Sequence, residues 1–190
     1  MEYTDVIEKA LAFALEAHSG AKRKISLMPY ILHPMEVGAI AASVTKDEEV
    51  IAAAILHDVV EDTTFTIEDV HSRFGKRIAA LVASETENKR EDLKPEATWR
   101  VRKEESLAAL EVSDRDGKII WLSDKLSNMR SIAREYAARG NEVWRHFHEH
   151  DPAMHCWYYT EIAKLTRELG DTLAWQEYTD LICKVFGDIK

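Results

Sequence analysis

Apolar and polar residues along this chain alternate with the helical period of 3.6, and no convincing stretch follows the two-residue period of a strand. Ile7, Leu11, Ala14, Leu15 and His18 fall on one helical face, and Asp5 with Glu8 has the spacing of a capping box. A second helix is predicted over residues 34 to about 43, with Pro34 suited to its first position. Thr45 with Glu48 reads as the cap of a third, in which Val50, Ile51, Ala54 and Ile55 lead towards His57. Thr66 with Asp69 opens a short helix ending near Gly75, and residues 76 to about 85 make another. A helical segment is expected over 98–111, and a long helix over 118 to about 138 with Ile119, Leu122, Leu126 and Met129 inward. Asp151-Pro152 reads as the cap and first turn of a helix to about 169, and the last helix spans about 172–186 with Gly187 as its stop. Residues 86–97 form the one long loop. Without a repeat, low-complexity tract or linker, the pattern predicts one all-α domain over residues 1–190.

Composition adds little to the fold but narrows the function. The chain has 190 residues, enough for a single sizeable core, and its hydrophobic fraction of 46% is ordinary for a globular protein. No segment approaches the roughly 20 uninterrupted apolar residues of a membrane span. The N-terminus has no signal-peptide pattern, and Cys156 and Cys183 are far apart with no CxxC motif, so a reduced, cytoplasmic protein without membrane partners is expected. A formal charge of −9 argues against nucleic acid as a partner, since that surface must displace counterions. Local basic clusters remain for a small anion: Lys22-Arg23-Lys24, Lys89-Arg90, Arg100 with Arg102-Lys103, and Lys125 with Arg130.

The chemistry concentrates in the run from Ala54 to Thr63. His57-Asp58 ends an apolar helical stretch, where burying an imidazole and a carboxylate costs several kcal/mol, on the order of a lost ion pair, unless something compensates both. A divalent metal would do so. His33 lies upstream before a proline, and Asp124 lies downstream inside an apolar helix. These four form an N2O2 donor set suited to Mn, Fe or Zn. If the helix persisted, His57 would share a face with Glu61, and Asp58 with Asp62. That crowding of acids favours a cation and leaves Glu61 and Asp62 to orient and deprotonate a water. Asp124 and Asn128 are likewise one turn apart. The alternation His146, His148, His150 reads as a solvated segment, and Trp157-Tyr158-Tyr159 as core packing.

With these motifs in hand, the chain resembles the HD-domain metal-dependent phosphohydrolases, and within them the RelA/SpoT-type hydrolase domain and small alarmone hydrolases. The resemblance rests on Arg23-Lys24, on the run from Pro29 to Pro34 (PYILHP), on ILHDVVEDT from Ile55 to Thr63, and on LSDKLSNMR from Leu122 to Arg130. It covers residues 11–135; helices over about 152–187 follow it. It implies an all-α HD-domain fold and a stand-alone Mn²⁺-dependent 3′-pyrophosphohydrolase acting on guanosine tetra- and pentaphosphate. It maps His33, His57, Asp58 and Asp124 onto metal ligands, Glu61 and Asp62 onto the water-handling pair, and Arg23, Lys24, Asn128 and Ser131 onto the nucleotide pocket. Lys89 would add charge there. Two stretches depart from the family pattern: residues 25–28 lack its glycine-containing loop, and residues 85–89 carry an acid at a usually apolar place. The alternatives are another HD-type nucleotide phosphohydrolase (a nucleotidase, or a phosphatase of a phosphorylated dinucleotide) and a non-catalytic nucleotide sensor.

Overall fold

A computed structural model of the chain describes residues 5–87, 90 and 92–187. The α-helices are α1 (Val6–Ala17), α2 (Leu32–Val44), α3 (Glu48–Leu56), α4 (Val59–Asp62), α5 (Ile67–Glu85), α6 (Pro95–Val112), α7 (Arg115–Arg139), α8 (Pro152–Leu165) and α9 (Leu173–Phe186). Short 3-10 turns, Gly140–His146 and Arg167–Leu169, follow α7 and α8. Among the described residues there is no strand, only one antiparallel bridge between Lys22 and Pro29. The all-α expectation is correct.

Local signals are partly reassigned. Asp5 precedes α1 but makes no side-chain cap; its carboxylate pairs instead with Lys9 at 2.9 Å. Helix α2 begins two residues before Pro34, and α3 is capped by Asp47, which accepts from the Glu49 and Val50 amides. The Thr66–Asp69 capping box forms as predicted. The two helices expected to meet near Gly75 are both present and join as α5 across a kink, where Gly75 takes φ +86°, a conformation that disfavours a side chain. Helix α6 starts at Pro95 and so shortens the long loop, and α8 ends at Leu165 rather than near 169.

Helix α7 is the central element and packs on α9, α2 and α3. Its Ile120, Leu122, Leu126 and Met129 are buried, each contributing on the order of 1.5–3 kcal/mol of transfer free energy. Helix α3 is buried from Val50 to Leu56, which explains its unbroken apolar run. Gly38 lets α2 approach α3: a Cβ there would lie 2.5 Å from Ile55 Cγ1. This close approach brings together the start of α2 and the end of α3, where His33 and His57 reside. Cys156 and Cys183 are free thiols. Among the described residues no helix is long and apolar enough to cross a membrane.

Candidate metal centre and active site

Three helices deliver the central donors: α2 carries His33, the end of α3 carries His57-Asp58, and the middle of α7 carries Asp124. The α3 helix does not persist through Asp58. The His-Asp pair forms the turn between α3 and α4, so both side chains leave the backbone towards one point. His33 Nε2 lies 3.1 Å from Asp124 Oδ1 and 3.6 Å from Asp58 Oδ2. His57 Nε2 lies 3.0 Å from Asp58 Oδ2 and 3.6 Å from Asp124 Oδ1.

The outward nitrogens set the tautomers. His57 Nδ1 donates to the Ala54 carbonyl at 2.9 Å. His33 Nδ1 faces Ser127 Oγ at 2.8 Å, and that hydroxyl donates onward to Glu36 Oε2 at 2.7 Å. Ser127 must therefore accept from His33. Both Nε2 lone pairs then point into the centre, the arrangement of imidazoles oriented by partners behind them. Among the described residues the buried His57 Nε2 has no hydrogen-bond partner, an orphan that a cation would resolve. His33, His57 and Asp58 offer donor atoms within 4.8 Å of one another.

The carboxylates are held ionised. Burial opposes charge on Asp124, but Lys125 and the two imidazoles hold it well below the usual range. The Asp124–Lys125 ion pair forms alongside, not instead of, the imidazole contacts. Burial alone would lower the His57 pKa, yet Asp58 and Asp124 carry it well above the ordinary value. That is a tightly coupled cluster in which protons and a divalent cation compete for the same lone pairs.

Around this centre lies a cavity of about 460 Å³, lined by Arg23, Lys24, Glu61, Asp62, Asn128 and Ser131 among others. The candidate metal, water-handling and pocket residues thus line one cavity, while Lys89 lies outside the described residues. Asn128 is already engaged: its amide donates to Asp124 Oδ1 at 2.6 Å and its oxygen accepts from Arg23 at 2.8 Å. It links a basic wall residue to the centre. The basic clusters divide. Arg102, Lys103 and Lys125 line the cavity, while Arg130 turns away to Glu36 and Glu177, Arg90 to Glu105 and Arg100 to Glu104. Tyr158 and Tyr159 are buried core residues that also back the cavity. His148 pairs with Glu96, while His155 is buried in the aromatic cluster.

Sequence reasoning missed several residues. Tyr30 donates its hydroxyl to Asp58 Oδ2 and lies 3.1 Å from Asp62 Oδ2; burial and then these two acids raise its pKa, so it stays a neutral donor. Its place inside the PYILHP run was the available signal. His18 packs against the Tyr30 ring in a tilted contact, with centroids 4.8 Å apart. Glu87 donates its backbone N–H to Glu61 Oε2 at 3.1 Å, while its carboxylate accepts from Arg102, from Lys103 at 2.8 Å and from Ser106 at 3.1 Å. Against its burial, Lys103 and Arg102 lower the Glu87 carboxyl to about 2. The segment just past α5 is thereby anchored to α6 beside Glu61. Glu85 lines the same cavity, and burial pushes its carboxyl well above the usual range despite Lys125.

The model of the HD domain family matches residues 10–151 of this chain. The chain belongs to the HD domain family. Among curated relatives, it is 37% identical over 131 residues to the guanosine-3′,5′-bis(diphosphate) 3′-pyrophosphohydrolase of Aquifex aeolicus (strain VF5), covering 69% of this chain and 18% of that protein. It is 33% identical over 126 residues to the bifunctional (p)ppGpp synthase/hydrolase SpoT of Escherichia coli (strain K12), covering 66% and 18%. The chain thus spans under a fifth of the length of these relatives. Among solved structures, it resembles that of a metazoan ortholog of SpoT described as hydrolysing ppGpp, with TM-score 0.74, 25% identity and 97% of each chain covered. It also resembles lmo0812 from Listeria monocytogenes EGD-e, with TM-score 0.71, 32% identity, and 85% of this chain and 98% of that one covered.

Proposed function

We propose that the chain is a metal-dependent hydrolase that removes the 3′-pyrophosphate of guanosine tetra- or pentaphosphate, leaving GDP or GTP. The observation that carries this is the convergence of two Nε2 lone pairs and two carboxylate oxygens beside Glu61 and Asp62 in a cavity with cationic walls. The similarity to hydrolases named for this substrate supports it. His33, His57, Asp58 and Asp124 would hold the ion, and the mixed N/O donor set suits Mn²⁺, with Fe or Zn as substitutes. When bound, such an ion supplies Lewis acidity and makes water easier to deprotonate.

The chain's own residues do the rest. Asp62 and Glu61 orient the attacking water and accept its proton; Tyr30 fixes Asp58 and Asp62 relative to each other, and the Glu87 amide fixes Glu61. The water oxygen bonds to the phosphorus nearest the ribose, the bond from that phosphorus to the 3′ oxygen breaks, the 3′ oxygen takes up a proton to become the hydroxyl of GDP or GTP, and pyrophosphate departs. Arg23, Lys24 and Asn128 line the nucleotide side of the cavity, with Ser131 on its wall. Arg23 and Lys24 balance phosphate charge, and a preorganised charged wall stabilises the transition state more than water does.

The test is a product assay on guanosine tetraphosphate with added Mn²⁺. GDP with pyrophosphate is the expected result. Free phosphate instead would identify a phosphatase of the same fold, and no product with retained binding would identify a nucleotide sensor.

A further inference from the structure

Glu85 is the last residue of α5, lines the cavity, and plays no part in the chemistry above. Its Oε1 is buried and has no hydrogen-bond partner among the described residues. Lys125, the cation whose field reaches it, is already paired with Asp124. A polar atom left unsatisfied on a cavity wall is costly in the empty site and is recovered only when a ligand supplies the partner.

The ligand's own chemistry selects that partner. On a nucleoside 3′,5′-bis(diphosphate) the phosphates carry negative charge and only accept, so the donors are the base N–H groups and the ribose 2′-hydroxyl. Two residues beyond Glu85 the Glu87 amide donates to Glu61 Oε2 at 3.1 Å, and Glu85 shares the cavity lining with His57, Asp58 and Asp124, so it stands beside the centre that would engage the 3′-phosphate. The 2′-hydroxyl is attached to the adjacent ribose carbon, whereas the base lies across the sugar. A hydroxyl both donates and accepts, so it pairs with a carboxyl in either protonation state.

We propose that Glu85 recognises the ribose 2′-hydroxyl, so that the site selects ribonucleotides over their 2′-deoxy analogues. This rests on the 3′-pyrophosphohydrolase reading. A site built to hydrogen-bond a substrate hydroxyl rejects the analogue lacking it, because its own polar group is then left unpaired.

The test compares guanosine 3′,5′-bis(diphosphate) with its 2′-deoxy analogue on the full Mn²⁺-loaded chain and on Glu85→Val and Glu85→Gln. The wild type is expected to lose about 10- to 100-fold in kcat/KM on the deoxy compound. Glu85→Val should lose a similar factor on the ribo compound and treat both within about twofold, and Glu85→Gln should keep much of the discrimination. Glu85→Val should also melt no lower than wild type, since it removes a buried unpaired carboxyl. Equal discrimination by wild type and Glu85→Val, or none by wild type, overturns the proposal. If wild type cleaves neither compound, the pyrophosphohydrolase reading fails instead. The ribo–deoxy comparison is then made by calorimetric binding of guanosine 3′-phosphate and its 2′-deoxy form, where equal affinities overturn the role of Glu85.

Discussion

Ser127→Ala isolates the relay behind His33. Ser127 is 1% exposed and His33 4% exposed, so no water replaces the lost hydroxyl as acceptor for the Nδ1 proton. A buried donor left unsatisfied costs about 1–3 kcal/mol. Independently, removing a group that orients a metal-binding imidazole costs about 10- to 100-fold in metal affinity, or about 1.4–2.8 kcal/mol. The two estimates agree in size although one describes folding and the other binding. Glu36 keeps its ion pair with Arg130 at 3.1 Å, so the damage should stay at His33. The expected outcome is an Mn²⁺ Kd raised about 10- to 100-fold by isothermal titration, with the metal-free protein melting about 2–12 °C lower. A Kd within twofold of wild type would show that Ser127 and Glu36 do not orient His33, and the relay argument would be refuted.

Asp62→Asn should keep its metal content by elemental analysis while lowering turnover by about 10²- to 10⁴-fold; full turnover would remove Asp62 from water activation. The Glu87 carboxyl is depressed to about 2 from an ordinary value of 4.5, so its contribution to stability is present above about pH 4.5 and disappears as pH falls towards 2. Glu87→Gln should therefore flatten that part of the stability–pH curve in acid urea titrations; an unchanged curve would mean the Arg102–Lys103 contacts carry no net energy. Gly38→Ala should destabilise by about 1–3 kcal/mol in urea denaturation, because its Cβ would meet Ile55 at 2.5 Å, and a neutral effect would mean that α2 and α3 can separate freely. Dialysis against a chelator should abolish activity and lower the melting temperature, with recovery on adding Mn²⁺; activity surviving complete metal removal would rule out the metal-dependent mechanism.

Much of this site was legible before any coordinates. His33, His57-Asp58 and Asp124 stand out because imidazoles and carboxylates in apolar helical surroundings demand compensation. Glu61 and Asp62 follow from being a few residues further along the same chain. Local helix signals were legible where the competing partner was also local, as with Thr66 and Asp69. They failed where another partner won: Asp5 was taken by Lys9, and Asp47 capped α3 in place of Thr45.

What the sequence could not determine is which distant groups stand behind those residues. Ser127 meets Glu36 across 91 positions and His33 across 94, and Tyr30 reaches Asp58 across 28. Glu87 joins Glu61 to α6 although Glu87 itself belongs to no recognisable motif. The chain by itself pointed to a helical fold and to the candidate donor residues of the proposed centre, because helical period and the cost of burying charge are local properties. Tertiary packing alone decided which way each ring faces, which cations reach the cavity, and that Glu85 Oε1 finds no hydrogen-bond partner there among the described residues. Those outcomes depend on how closely α2, α3, α5 and α7 approach one another, and residue types at fixed spacing carry no record of that distance.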